Sequence, residues 1–137
     1  MGIILDSSVL IAGERSLESV QQALNRIRDV VGDPECAISS ITVVELTHGI
    51  YRARNPADRK RRETFCQALF SDVIVYPVSF PIAQLAGQIE GEQAALGNVI
   101  ATADLLIGVT ALSLGSDLVT LNLRHFQRIP GLRITQL

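Results

Sequence analysis

Tryptophan is absent from this chain, and two tyrosines and four phenylalanines make up its whole aromatic complement. Base stacking on aromatic platforms is therefore not an evident binding mode. Cys36 and Cys66 lie far apart, with neither CxxC nor Cys/His spacing. That excludes a zinc finger or a disulfide framework and leaves both as small core residues. No apolar run approaches the roughly 18–20 residues that span a bilayer. Asp6 interrupts the first apolar stretch, and no positively charged segment precedes it, so a cytoplasmic protein without membrane association is expected. A glycine-rich phosphate loop and a G-x-S-x-G elbow are also missing. Positive charge is not in excess: 12 Lys and Arg against 14 Asp and Glu leave a net charge of −2. Nucleic-acid binding would have to come from a local patch.

What is present is the composition of a folded globular protein, 47% hydrophobic and 19% charged over 137 residues, predicting one domain over residues 1–137. Short β runs are expected at Ile3–Leu5, Cys36–Ser39, Val73–Val78, Asp117–Leu121 and Leu132–Thr135. Between them, helical spacing predicts a short helix over Val9–Ala12 closed near Gly13, then helices over Leu17–Val31, from Thr42 to Ile50, and over Ala57–Phe70. Two more follow, one from the Ser79-Phe80-Pro81 start to Gly97-Asn98 and one from Thr102 or Ala103 to Gly115. Strands alternating with helices predict an α/β domain whose central sheet is mainly parallel, with helices on both faces.

In such sheets ligands bind beyond the carboxyl ends of the strands, and three acids are expected there. Asp6 directly follows the first strand, while Glu45 and Asp104 fall in first turns of helices. A structural role is available to each, because helix N-termini favour carboxylates by roughly 0.3–1 kcal/mol. Thr42-Val43-Val44-Glu45 also matches a capping box. Against that stands the apolar setting of IIL-Asp6, VV-Glu45-L and Asp104-LLIG, where unpaired carboxylates are costly to bury. Three gathered acids call for a hard divalent cation such as Mg²⁺, which activates water and neutralises charge during phosphodiester cleavage. Asn122, closing VTLN, can join the same edge. Ser7 and Ser8 are candidates for orienting Asp6.

The segment YRARNPADRKRR holds Arg52, Arg54, Arg59, Lys60, Arg61 and Arg62 against one acid, Asp58. It reads either as a solvated helix pair or as a phosphate-contacting patch, extended by Arg124, Arg128 and Arg133. Glu45 and His48 have the E-x-x-H spacing of di-iron bundles, but a single copy cannot build such a site, so a surface or groove role is expected for His48. Gly87, Gly91, Gly97 and Gly108 lie in or beside helical stretches and suggest close helix approach, including at a dimer interface.

Four segments, ILDSSVLI, SSITVVEL, ADLLIGVTAL and LVTLNLRHFQRIPGL, occur in an order and over a length that resemble a PIN-domain ribonuclease of the VapC toxin type. The resemblance covers essentially the whole chain. It implies a five-stranded, mainly parallel sheet with an acidic pocket at its edge and endonucleolytic cleavage of RNA dependent on Mg²⁺ or Mn²⁺. By position it implies Asp6, Glu45 and Asp104 as catalytic and metal-binding acids; beside them, Ser8, Thr120 and His125 are expected in support and Asn122 as a further metal ligand. It also implies a homodimer neutralised by a small antitoxin whose tail occupies the active-site groove. One departure stands out. Many relatives carry a fourth acid in the T-x-N-x-x-[DE]-F region, where this chain reads TLNLRHF, so Asn122 and His125 hold the polar positions. That departure motivates an alternative, a catalytically weak or inactive PIN-like module that binds RNA or a partner. A haloacid-dehalogenase-type phosphatase would want D-x-D after the first strand, and Ser8 stands there instead.

Overall fold

The computed structural model describes residues 2–137. Its framework is five parallel strands in the order β3-β2-β1-β4-β5. They are β1 (Ile3–Leu5), β2 (Cys36–Ser39), β3 (Ile74–Tyr76), β4 (Asp117–Thr120) and β5 (Ile134–Gln136). The mainly parallel sheet expected from the sequence is parallel at every pairing. The seven helices are α1 (Ser7–Arg15), α2 (Val20–Val31), α3 (Ser40–Tyr51), α4 (Pro56–Asp72), α5 (Phe80–Ala95), α6 (Thr102–Leu114) and α7 (Leu123–Phe126). No helix among the described residues is long and apolar enough to cross a membrane.

Alternation along the strands divides the core in two. Ile3, Leu5, Cys36, Ile38 and Val119 join Val9, Leu10, Leu24, Ile27, Phe65 and Leu69 from α1, α2 and α4. Ile4, Ala37 and Leu118 join Ile82, Ile89, Leu105, Ile107 and Val109 from α5 and α6 on the other face. Because helices cover both faces, β1 reads as an unbroken apolar run rather than an alternating one.

The chain adds β2 and β3 on one side of β1, then crosses to add β4 and β5 on the other. The switch in direction lies between β1 and β4, the place where open α/β sheets hold their ligands. Leu5 is in register with Val119, so Asp6 and Thr120 leave the sheet side by side.

Several boundaries differ from those expected. The helix after β2 begins at Ser40, because the Ser39 hydroxyl accepts from the Ile41 N–H at 3.1 Å. Thr42-x-x-Glu45 is thus not a capping box, and Glu45 lies beyond the first turn. The first helix runs from Ser7 through Gly13 to Arg15. Gly13 is a contact point rather than a stop: a Cβ there would stand 3.1 Å from Ala23 Cβ of α2 and 2.9 Å from Glu18 Oε1. The second helix starts at Val20, behind a reciprocal Ser19–Gln22 capping box. The β3, β4 and β5 strands are shorter or shifted by one or two residues relative to expectation, and the four-residue α7 is too short to show a helical period. Of the helical glycines, Gly108 is tight, since a Cβ there would collide with Ile129 Cδ1. Gly87 and Gly91 face open space, so within the chain they serve no close helix approach.

Candidate active site

Asp6 occupies the N-cap position of α1, yet its side chain caps nothing. Instead Oδ2 accepts from the Ser8 hydroxyl at 2.6 Å and from the Thr120 hydroxyl at 2.8 Å. Its backbone N–H donates to Val119 O at 2.9 Å. Ser8 and Thr120 are themselves held: Leu121 N–H donates to Ser8 Oγ, and Asn122 N–H to Thr120 Oγ1. This network fixes a carboxylate that is only 3% exposed at the end of two strands. No hydrogen-bond donor among the described residues reaches its Oδ1. A cap is thereby excluded as the reason for Asp6.

Glu45 projects from the second turn of α3, where the helix N-terminus offers it little. Its Oε1 is buried without a hydrogen-bond partner among the described residues. Burial pushes the Glu45 carboxyl above its ordinary range; the Ser7 hydroxyl opposes this, and the charges of Asp6 and Asp104 add to it. Asp104 does lie in the first turn of α6. Its carboxyl is likewise raised by burial, drawn down by His125 and raised again by Asp6. His125 Nδ1 lies 3.2 Å from Asp104 Oδ2, with the imidazole 54% exposed and the carboxylate 19%. The structure therefore gathers Asp6, Glu45 and Asp104 within electrostatic reach, with Ser8, Thr120 and His125 around them. Asn122 is exposed and precedes α7; its side chain makes no capping bond.

Three carboxylates gathered at one edge, of which Glu45 and Asp104 are raised by burial and by neighbouring negative charge and Glu45 has an orphaned buried oxygen, match the donor chemistry of a hard divalent ion. Among the described residues no three His, Cys, Asp or Glu side chains stand close enough to enclose an ion. The set suits an ion taken up by one or two carboxylates and otherwise by water, the usual arrangement for Mg²⁺.

A groove of about 510 Å³ leads away from Glu45 between α1, α3 and α4. Along α3, Glu45, His48, Gly49 and Arg52 line it at i, i+3, i+4 and i+7, one stripe of the helix. Arg15, Arg54 and Arg62 add positive charge. The basic run separates into two groups. Arg61 Nε donates to Glu14 Oε1 at 3.1 Å and Arg61 Nη1 to Asp58 Oδ1 at 2.9 Å. Arg62 Nη1 donates to Gly49 O at 2.6 Å, with its Nε 3.9 Å from Glu14. Those two arginines are structural ties. Arg52, Arg54 and Lys60 are exposed and carry no ion pair among the described residues, and Arg59 lies over the Tyr51 ring. Arg124 is exposed on α7, whereas Arg128 is bonded to Asn98 and Arg133 to Asp117. Glu14 was not singled out in the sequence, where it is one acid beside an arginine. Its burial at 8% exposed and its tie to α4 come only with helix packing.

Comparison with known proteins agrees with this geometry. The PIN domain family matches residues 3–132. The chain is 31% identical to Ribonuclease VapC1 of Rickettsia felis over 134 residues, covering 98% of this chain and 95% of that one. It is 37% identical over 97 residues to the tRNA(fMet)-specific endonuclease VapC of Salmonella typhimurium, covering 71% of each. The crystal structure of DNA-bound VapBC from Salmonella typhimurium superposes with a TM-score of 0.83 at 28% identity, over 99% of this chain and 98% of that one. A parallel sheet with one buried and two half-buried acids at its switch point, and similarity along nearly its whole length, place this chain in the PIN-domain family among the VapC ribonucleases.

Proposed function

We propose that this chain is an endoribonuclease dependent on Mg²⁺ or Mn²⁺ and is the toxin of a VapBC-type pair, held inactive by a small antitoxin protein. The carrying observation is the meeting of Asp6, Glu45 and Asp104 at the sheet's switch point, with Glu45 Oε1 buried and unpartnered. These three side chains would hold the ion, one or two of them directly and the rest through its water shell; when bound it supplies an activated water and neutralises charge developing on the phosphate. Ser8 and Thr120 keep the Asp6 carboxylate in one orientation. His125 restrains Asp104. Arg52, Arg54 and Arg15 at the groove draw in phosphates, overcoming a net charge that is negative for the chain as a whole. A VapBC complex of known structure supports the antitoxin partner. The homodimer and the cytoplasmic location belong to the same reading.

Purified protein should cleave RNA with Mg²⁺ or Mn²⁺ added and not with EDTA. Asp6→Asn and Asp104→Asn should each abolish cleavage and growth arrest, and cleavage surviving in both variants would sink the assignment. A second reading, an RNA- or partner-binding module that does not cut, is favoured by His125 standing where many PIN-domain ribonucleases have a fourth acid, and by the absence among the described residues of a ready-made three-residue cage. Titration calorimetry showing intact RNA binding without divalent-ion binding would select it.

A further inference from the structure

The scarcity of aromatic residues argued against base stacking, but one of the two tyrosines is placed for it. Tyr51, the last residue of α3, is 67% exposed. The Arg59 guanidinium lies over its ring, 5.3 Å from the centroid, and Arg59 Nη2 also reaches the Tyr51 carbonyl oxygen at 3.5 Å. Arg59 stands over one face of the ring, so a ligand would meet the other face or the ring edge. An exposed tyrosine fixed in this way is a flat, pre-positioned surface. It costs little conformational entropy to use.

Its surroundings favour a polyanion carrying flat groups. Arg52 follows Tyr51 directly, and Arg52 and Arg54 line the groove that runs back to Glu45. Neither arginine has an ion-pair partner among the described residues, and the nearby acids Asp58 and Glu14 are both engaged by Arg61. From Glu45 to Arg52 the helix rises about 10 Å, so this end of the groove lies away from the three acids. We propose that Tyr51, backed by Arg59, is a stacking platform for an unpaired base of the RNA flanking the cleavage position, with Arg52 and Arg54 holding the adjoining phosphates. The substrate segment engaged there is single-stranded, since only an unstacked base offers a free face. This inference rests on the ribonuclease reading above and adds to it a substrate form and a contact residue.

The test is fluorescence anisotropy of a labelled single-stranded RNA 12-mer in EDTA, which prevents cleavage, using the full chain and its variants. Tyr51→Ala should weaken binding by about 5- to 150-fold, the range for loss of one base stack. Tyr51→Trp should bind as the wild type does. The dependence of affinity on salt should be unchanged in Tyr51→Ala, because stacking releases no counterions. Arg52→Ala should flatten it by about 0.7 in log–log slope. A duplex of the same sequence should bind Tyr51→Ala and wild type alike. Equal single-strand affinities for Tyr51→Ala and wild type would overturn the platform while leaving the ribonuclease reading intact. Equal losses on single strand and duplex would also overturn it, as a general disturbance. No binding of either RNA by the wild type would overturn the platform, while the ribonuclease reading is decided separately by the cleavage assay with Mg²⁺ or Mn²⁺.

Discussion

Thr120 donates its hydroxyl to Asp6 Oδ2 at 2.8 Å, joining residues 114 positions apart in sequence but side by side at the ends of β1 and β4. The same Thr120 oxygen accepts the Asn122 N–H at 2.9 Å, so one buried hydroxyl fixes both the candidate ligand and the entry to α7. Thr120→Val should remove both bonds at nearly constant volume. It should cost about 1–3 kcal/mol in urea unfolding, together with a loss of RNA cleavage. Unchanged stability would show that water replaces the hydroxyl.

Asp6→Asn keeps an acceptor for Ser8 and Thr120 while removing the charge. Its melting temperature without metal should stay within a few degrees of wild type. For the wild type, a divalent ion at 100 times its dissociation constant should add about 2.7 kcal/mol of stability, seen as a rise in melting temperature. Asp6→Asn should lose that rise along with cleavage. A variant that still gains stability from Mn²⁺ would remove Asp6 from the ligand set.

Glu14 ties α1 to α4, and through Arg62 and the Gly49 carbonyl it steadies α3, which carries Glu45. Glu14→Ala removes the carboxylate 3.9 Å from Arg62 Nε, an atom that is buried without a hydrogen-bond partner among the described residues. The expected cost is about 1–3 kcal/mol in chemical denaturation. Glu14→Gln, which keeps the shape and an acceptor, should cost less. Equal costs for the two would mean that packing rather than charge is what Glu14 contributes.

Burial raises the Cys66 thiol from an ordinary 9.0 to about 11, and the charge of Glu14 adds to the effect. The folded state therefore favours the protonated thiol. Its contribution to stability is complete below pH 9 and is lost as pH rises from about 9 to 11, where the unfolded chain ionises first. Native protein at pH 8 should resist alkylation by iodoacetamide at Cys66, and urea should expose it. Rapid modification of native protein, read by mass spectrometry, would contradict the burial.

Much of the framework was legible locally. β1 and β2 stand where Ile3–Leu5 and Cys36–Ser39 predicted them, since short β runs bounded by turn and cap residues are read from immediate neighbours. The starts of α5 and α6 and the stop at Gly115, with its φ of +64°, carry equally local signals. Glu45 shows where this reading failed: both Ser39 and Thr42 are acceptable caps, and only the backbone geometry after β2 chose Ser39. That choice also removed the helix-terminus explanation for the acid.

The sequence by itself determined the alternation of strands and helices, the apolar β1, and the acids Asp6 and Asp104 that follow or begin those elements. It did so because each is encoded by periodicity and by neighbours within a turn or two. The tertiary structure decided which acids share charge, that Ser8 and Thr120 rather than the α1 N–H groups engage Asp6, and that Arg61 and Arg62 are occupied by Glu14. It also decided that the Tyr51 ring is left open beneath Arg59. These relationships depend on the order of strands across the switch point and on how α1, α3 and α4 pack. Both join residues tens of positions apart, and no local pattern records that pairing.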